Sequence, residues 1–392
     1  MDFSLTSTQV MIKDSARDFL SRECPLRTVI KALDDSETGF SPDLWRQMVE
    51  MGWVGMSLPT EYGGVGSSFM DVATLFEELG YACVTVPLLS SVMLAGRTIL
   101  EAGSSQQKAE LLPSIGNGSR ILAFALTEPD YGWSPEFVGL QARSEKGGYV
   151  LNGTKLFVPD VQIADEVLVV ARTSKGDSPE KGITLFRVDK NAPGLSHRIL
   201  AGWAADKMNE VVFKDVRVPA SAVVGPVDGA WAPLQRALDG ATAILCSYMV
   251  GSMQKLFEMT NEYSQNRIHF GVPIGTFQRV QDYVIDILNN TDSARWTNYE
   301  ALTKLDEGMA DASLAVSTAK AVASQGFPRS AMDAHHVHAG TGGDTRYGMY
   351  LYTKKAKTYH SYLGDAAYHK KRIAHALDLS KQVPAGRGSA RP

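Results

Sequence analysis

Between about residues 121 and 228 the chain gives up helical periodicity for short runs rich in Val, Ile, Leu, Phe and Thr, and it returns to helical periodicity on both sides. A sheet face repeats every two residues and a helix face every 3.6, so one segment cannot serve both. The chain must therefore build a sheet between two helical units. The runs ILAFALT, YVLNGTKLFV, EVLVVART, GITLFRV and NEVVFKDVRV are broken by Gly147-Gly148, Asn152-Gly153 and Lys175-Gly176, which reads as a small antiparallel barrel or sandwich. Asn152-Gly153 is expected to be a hairpin turn.

Before this stretch, Thr6 with Gln9 forms a capping-box start for a helix whose face carries Ile12, Ala16, Phe19 and Leu20. Ser41-Pro42-Asp43 caps a second helix that stops at Gly52, and similar signals predict helices over 69–79, 90–102 and 105–113. After Gly225, helices are predicted at 229–265, 278–306 and 311–325, with two more from about 328 to 380, the content of a helical bundle. The expected boundaries are 1–120 for an N-terminal helical domain, 121–228 for a middle β domain and 229–380 for a C-terminal bundle, with 381–392 a frayed tail.

With 44% hydrophobic and 21% charged residues the 392-residue chain can bury a large interior. A net charge of −4 and no basic stripe exclude nucleic acid as an expected partner. Cys24, Cys83 and Cys246 lie far apart without metal-ligand spacing, which fits a reducing cytoplasm and no metal. No apolar stretch approaches the roughly 20 residues needed to span a bilayer, and the start lacks the basic and apolar regions of a signal peptide.

Four motifs carry the chemistry. Ala125-Leu126-Thr127-Glu128-Pro129 runs a strand into a turn, and Asn152-Gly153-Thr154-Lys155-Leu156-Phe157-Val158 brings an aromatic strand beside it; alone, each is an ordinary strand end or hairpin. Arg267, Phe270, Gly271, Pro273, Ile274, Phe277 and Gln278 form RxxFGxPIxxFQ, pairing a guanidinium suited to phosphate with an amide further on. His336-Val337-His338-Ala339-Gly340-Thr341-Gly342-Gly343-Asp344 runs a helix into a glycine turn where backbone can approach a ligand closely. The two histidines stand i, i+2 and do not share a helix face, so they are poor metal ligands.

In order and spacing these blocks, with VRVPASAVVG and LGDAAYHKKRIA, resemble the acyl-CoA dehydrogenase family across essentially the whole chain. The resemblance implies an α+β multidomain fold: an N-terminal helical domain, a middle antiparallel β-barrel and a C-terminal four-helix bundle. It implies FAD, with the flavin ring against Leu126, Thr127, Phe157 and Val158. It also implies that Arg267, Phe270, Gln278, His336, Gly340 and Gly342 contact the diphosphate and adenosine end, across to a neighbouring subunit. A dimer at least, an acyl-CoA substrate and a flavoprotein electron acceptor follow from the same resemblance.

One part of the family pattern is missing. The family keeps a catalytic glutamate in one of three places, and here they hold Leu363, Ala241 and Tyr248. A tyrosine with an ordinary pKa near 10 is a poor base at neutral pH, and leucine or alanine is none. Pro159 stands where many members have threonine, and Trp133 lies in a turn of usually small residues; Asp239 and Asp365 are nearby acids that align with no base position. The catalytic residue is therefore unassigned. The expectation is the base-lacking subunit of a heteromeric dehydrogenase, such as those in lipid or steroid degradation, working as a heterotetramer with a paralogous subunit. The alternatives are a complete homo-oligomer with an unrecognised base, other flavin chemistry, or a cofactor-free scaffold.

Overall fold

The structure is a computed structural model that describes residues 4–30, 32, 37–202 and 206–378. The expected tail at 381–392 lies outside the described residues. The helices are α1 (Ser7–Glu23), α2 (Leu26–Ile30), α3 (Pro42–Glu50), α4 (Phe69–Tyr81), α5 (Arg97–Ala102), α6 (Ser105–Gly116), α7 (Trp231–Asn266), α8 (Gln278–Asp306), α9 (Ala312–His338), α10 (Met349–Tyr359) and α11 (Ala366–Ala376). The Thr6–Gln9 capping box forms in both directions, and Ser41 Oγ accepts from the Leu44 N–H as the cap of α3.

The strands are β1 (Leu122–Ala125), β2 (Gln141–Glu145), β3 (Gly148–Pro159), β4 (Glu166–Arg172), β5 (Ile183–Asp189), β6 (Leu195–Ile199), β7 (Met208–Pro219) and β8 (Val223–Val224). They form one sheet in the order β6-β7-β3-β2-β4-β5-β8, with β1 added to β4. Pairing is antiparallel except that β1, and β2 through the single pair Gln141↔Arg172, run parallel to β4. The described pairings do not close this sheet into a barrel by joining β6 to β8.

Asn152-Gly153 is not the hairpin turn. The turn between β2 and β3 is Lys146-Gly147, and Asn152 and Gly153 lie inside continuous β3 at a bulge against β7. Gly153 has φ +149°, and a Cβ there would meet the Leu140 side chain at 2.9 Å. The Asn152 amide donates to Asp215 Oδ1 and its oxygen accepts from the Asp215 N–H, so an Asn-Gly pair with hairpin chemistry is used to hold a bulge instead. Three helix readings also shift. The 90–102 segment is a π-helical stretch, Leu88–Gly96, that hands over to α5. Helix α6 runs on through Pro113 to Gly116. Helix α9 runs through Pro328 to His338, so no new helix begins near 328. Proline in a helix interior costs about 3 kcal/mol, and packing of α9 against α7, α8 and α11 outweighs it.

Helix α7 is the axis of the molecule, buried on all sides from Ala237 to Met253. Against it α4 approaches backbone to backbone. A Cβ on Gly80 would stand 2.0 Å from the Tyr248 carbonyl, and one on Gly251 would stand 1.8 Å from that of Glu77. Ser252 completes the contact by donating to Gly80 O at 3.0 Å. This junction fixes the N-terminal helices on the C-terminal bundle. Gly251→Ala is therefore expected to destabilise the protein by about 3 kcal/mol, the upper end of overpacking costs. Thermal unfolding should show it as a lowered midpoint, while Gly202→Ala, where a Cβ meets nothing within 4 Å, leaves the midpoint in place.

Candidate cofactor and substrate site

A second bulge in β3 creates the most open part of the site. Between Lys155↔Val211 and Val158↔Asn209 the register slips, and Phe157 takes φ +54°. Its ring is thereby turned out of the sheet and stays 38% exposed, while Leu126, Thr127 and Val158 are buried. Phe157 meets Tyr131 edge-on at 4.9 Å, and both line a cavity of about 450 Å³ closed by Met208, Lys357, Thr358, Ser361 and Tyr362. Tyr131 reaches across it, its hydroxyl 3.3 Å from Ser361 Oγ. A slot of this size walled by three aromatic rings suits a flat heteroaromatic group. Of the four residues expected at a flavin ring, Phe157 lines the cavity directly, and the other three lie buried beside it.

Behind Phe157 the floor is held by a residue to which the sequence reading gave no role. Lys155 is fully buried, donating to Leu126 O at 2.9 Å and to Glu128 Oε1 at 2.7 Å. The same Glu128 oxygen accepts the N–H groups of Gly139 and Leu140. Burial pushes the Lys155 ammonium down to about 8, with Glu128 opposing the shift. This ion pair ties β3 to the loop after β1. A lysine at an inward position of a strand was the available signal.

The other motifs sit apart from this cavity. Residues Ile268–His269 (β9) and Val272–Pro273 (β10) pair as a small hairpin, with Phe270 at its tip 85% exposed, Arg267 exposed just before it and Gln278 opening α8. Tyr263 links the hairpin to the glycine turn: it stacks on His338 at 4.3 Å, and its hydroxyl lies 3.4 Å from Thr341 Oγ1. His338 is buried between Ala334 O and the Tyr347 hydroxyl, whereas His336 faces out beside Tyr283. Gly342 has no room for a side chain, since a Cβ would lie 2.7 Å from His335 Nδ1, and Gly340 faces open space. The structure thus brings Arg267, Phe270 and Gln278 together at one end and His336, Gly340 and Gly342 near them through Tyr263.

Sequence models of the acyl-CoA dehydrogenase N-terminal, middle and C-terminal domains match residues 6–119, 123–216 and 229–377. The chain belongs to the acyl-CoA dehydrogenase family. It is 31% identical to the acryloyl-CoA reductase (NADH) of Anaerotignum propionicum over 96% of each chain. Among solved structures it is similar to the butyryl-CoA dehydrogenase of Megasphaera elsdenii (TM-score 0.88, 26% identity, 96% of this chain and 100% of that one). It is likewise similar to PigA in complex with FAD (TM-score 0.90, 27% identity, 97% and 100%).

The acyl-CoA dehydrogenase positions expected to carry a base are closed and apolar in this chain. Leu363, Ala241 and Tyr248 are all buried. The Tyr248 hydroxyl donates to Val84 O at 3.1 Å, its ring meets Tyr359 edge-on at 5.1 Å, and burial raises its pKa well above 10. Beside Tyr248 a cavity of about 20 Å³ remains, lined by Phe76, Leu79, Val84, Val86, Leu89, Leu245 and Tyr359. That is room for about one water. The two nearby acids have structural work: Asp239 accepts from Arg372 at 2.9 Å, and Asp365 caps α11 through the Tyr368 N–H at 2.8 Å.

A polar cluster lies behind this aromatic packing, and the sequence reading missed it. Lys355, fully buried, donates to Asp206 Oδ1 at 2.6 Å, Thr85 Oγ1 at 2.7 Å and the Tyr359 hydroxyl at 3.2 Å. Next to it Asp160 accepts from the Ser90 hydroxyl. Asp160 is half-buried as a residue, and packing encloses its carboxyl. Burial pushes it up to about 6, the Ser90 bond and Lys355 pulling down and Asp206 pushing up. A carboxyl whose folded pKa is raised favours the fold fully below its unfolded value near 3.9. That contribution is lost as pH rises through about 6. Asp160→Asn is therefore expected to stabilise the protein at pH 7.5 by up to about 3 kcal/mol. Denaturant melts across pH should show the gain shrinking to nothing near pH 4. A gain independent of pH would assign it to repacking instead.

Proposed function

We propose that this chain is a FAD-binding subunit for α,β-dehydrogenation of an acyl-CoA thioester, and that the proton-abstracting base is supplied by a paralogous partner subunit. One observation carries the reading: at the positions where the family resemblance expects the base stand Leu363, Ala241 and Tyr248, all buried, and Tyr248 is packed edge-on against Tyr359. Removal of a proton next to a thioester needs a positioned carboxylate of adjusted pKa. Membership of the family, likeness to a FAD complex and the aromatic slot at Phe157, Tyr131 and Tyr362 support the cofactor. When bound, FAD supplies the hydride acceptor.

The chain's own residues hold, orient and exclude water. Phe157, Tyr131 and Tyr362 flank the ring slot, and Leu126, Thr127 and Val158 form its buried backing. Arg267, Phe270 and Gln278, with the turn from His336 to Gly342, suit the diphosphate and adenosine end. Their exposure on this chain fits a site completed by a neighbouring subunit. Ile268, Phe270 and Phe277 leave apolar surface at the same place, as an oligomer contact would require. The electron acceptor in this reading is a flavoprotein.

A second reading rests on Asp160. This carboxyl, pushed up to about 6 and electrostatically linked to Tyr362 of the slot, has the proton affinity of a general base. In that case the chain is a complete homo-oligomeric dehydrogenase.

Arg267→Ala is expected to weaken FAD retention by roughly 10- to 150-fold, since a hydrogen bond to a charged group contributes about 1.5–3 kcal/mol. Equilibrium dialysis reads this directly, and flavin content that withstands dilution as well as in wild type would make Arg267 a surface residue. Turnover with an artificial electron acceptor decides the rest, comparing this chain alone, the paralogous partner subunit alone and the two coexpressed. The pair should turn over, and this chain alone should fall 10²- to 10⁴-fold below it. Tyr248→Glu should restore nothing, because the side chain points at Val84 and Tyr359. Robust turnover by the chain alone that Asp160→Asn abolishes would establish the second reading in place of the first.

A further inference from the structure

Lys320 on α9 is fully buried, and no carboxylate is among its hydrogen-bond acceptors in the described residues. Its Nζ donates to Ser324 Oγ at 2.7 Å, Gly364 O at 2.9 Å, Tyr359 O at 3.0 Å and His360 O at 3.3 Å. An ammonium this deep is ordinarily paired with a carboxylate. Here it rests on the carbonyl ends of α10, where the partial negative charge of a helix collects. The next carbonyl is also taken: His369, whose imidazole burial and nearby Lys320 push down to about 3, donates Nε2–H to Leu363 O at 2.9 Å.

The segment so held is the wall of the ring slot. Thr358, Ser361 and Tyr362 line that cavity, and the chain then passes through Leu363 at φ +59° and Gly364 at φ +95°. Leucine in the left-handed region is strained, and such a conformation persists only where its surroundings fix it. Four carbonyls, those of Tyr359, His360, Leu363 and Gly364, are fixed by two buried side chains from α9 and α11. With its carbonyls tied inward, the segment can present Ser361 and Tyr362 to the slot in one geometry.

We propose that Lys320 is a positioning residue for the cofactor slot: its buried ammonium gathers the 359–364 carbonyls and so sets where Ser361 and Tyr362 stand. This rests on the FAD reading above. The groups packed around the ammonium are Cys246 of α7, Tyr359 at the end of α10 with His360 just after it, and Asp365 and His369 at α11. Burial pushes the ammonium down to about 8, with Cys246 and Asp365 favouring the charge. Above that pH the nitrogen loses its charge and one of three donors, so the wall should loosen in the alkaline range.

The test uses the purified protein with any partner it needs, and two readouts. The first is the FAD dissociation constant from about pH 6.5 to 9; the second is amide hydrogen exchange of residues 359–364 without FAD. Lys320→Met is expected to weaken FAD binding roughly 10- to 100-fold, the scale of an ångström-level misplacement. It should also speed exchange at 361–364 and flatten the weakening that wild type shows above about pH 8. Ser324→Ala, which removes one acceptor, should shift both readouts the same way by less and serves if Lys320→Met does not fold. A folded Lys320→Met with wild-type affinity, pH profile and exchange overturns the proposal, even with a lower melting point. If wild type binds no FAD, the cofactor reading fails and hydrogen exchange alone decides whether Lys320 holds the wall.

Discussion

The contact on which the rest of this molecule depends is the glycine-mediated approach of α4 to α7. Gly80 lies against the Tyr248 carbonyl and Gly251 against that of Glu77, at separations that leave no space for a methyl group. Two helix backbones can come this close only where side chains are absent. That closeness seats the N-terminal helices on the bundle, drives Tyr248 toward Val84 and Tyr359, and shuts the space beside the base positions. The tight packing around Tyr248 follows from helix spacing as much as from the identity of the residue at 248.

Around the site the protein spends three fully buried lysines, and each fixes a different backbone segment. Lys155 ties the loop after β1 to β3 through Glu128; Lys355 ties α10 to the segment before β7 through Asp206; Lys320 gathers the end of α10 with neutral oxygens alone. Burying an ammonium is costly unless it is hydrogen-bonded, and Lys155 reaches two acceptors, Lys355 three and Lys320 four. Long donors with several hydrogens can bind carbonyls of separate chain segments at once, which apolar side chains of equal volume cannot. The slot is thus walled by loops and turns yet held as firmly as regular structure.

The functional reading joins two kinds of observation. The aromatic slot, the exposed Arg267 hairpin and the glycine turn match what a member of this family needs to hold a flavin between subunits. Where the family resemblance expects a base stand the buried Leu363, Ala241 and Tyr248. The proposed pairing with a base-bearing subunit rests on these two sets together. Asp160 is the single acid in the cluster whose raised proton affinity keeps the solitary reading open to experiment.

Much of this was legible in the order of residues. The switch from period 3.6 to period 2 and back marked where helices give way to strands, because both periods are local geometry. The caps at Thr6 and Ser41 were likewise readable from residue identity alone, whereas the short β9–β10 hairpin after Arg267 was not expected. Asn152-Gly153 misled, since an Asn-Gly pair satisfies a bulge as well as a turn and only the partner strand β7 decides which. The helix expected to end at 325 runs on through Pro328, because the packing of α9 outweighs a local penalty. What the sequence by itself determined is the succession of helical, sheet and helical units and the residue types standing at 363, 241 and 248. Tertiary structure alone decided that a β-bulge turns the Phe157 ring out of the sheet, that Tyr248 packs against Val84 and Tyr359, and that Lys355 and Lys320 are fully buried. Burial and desolvation depend on residues hundreds of positions apart meeting, and no local pattern encodes that distance.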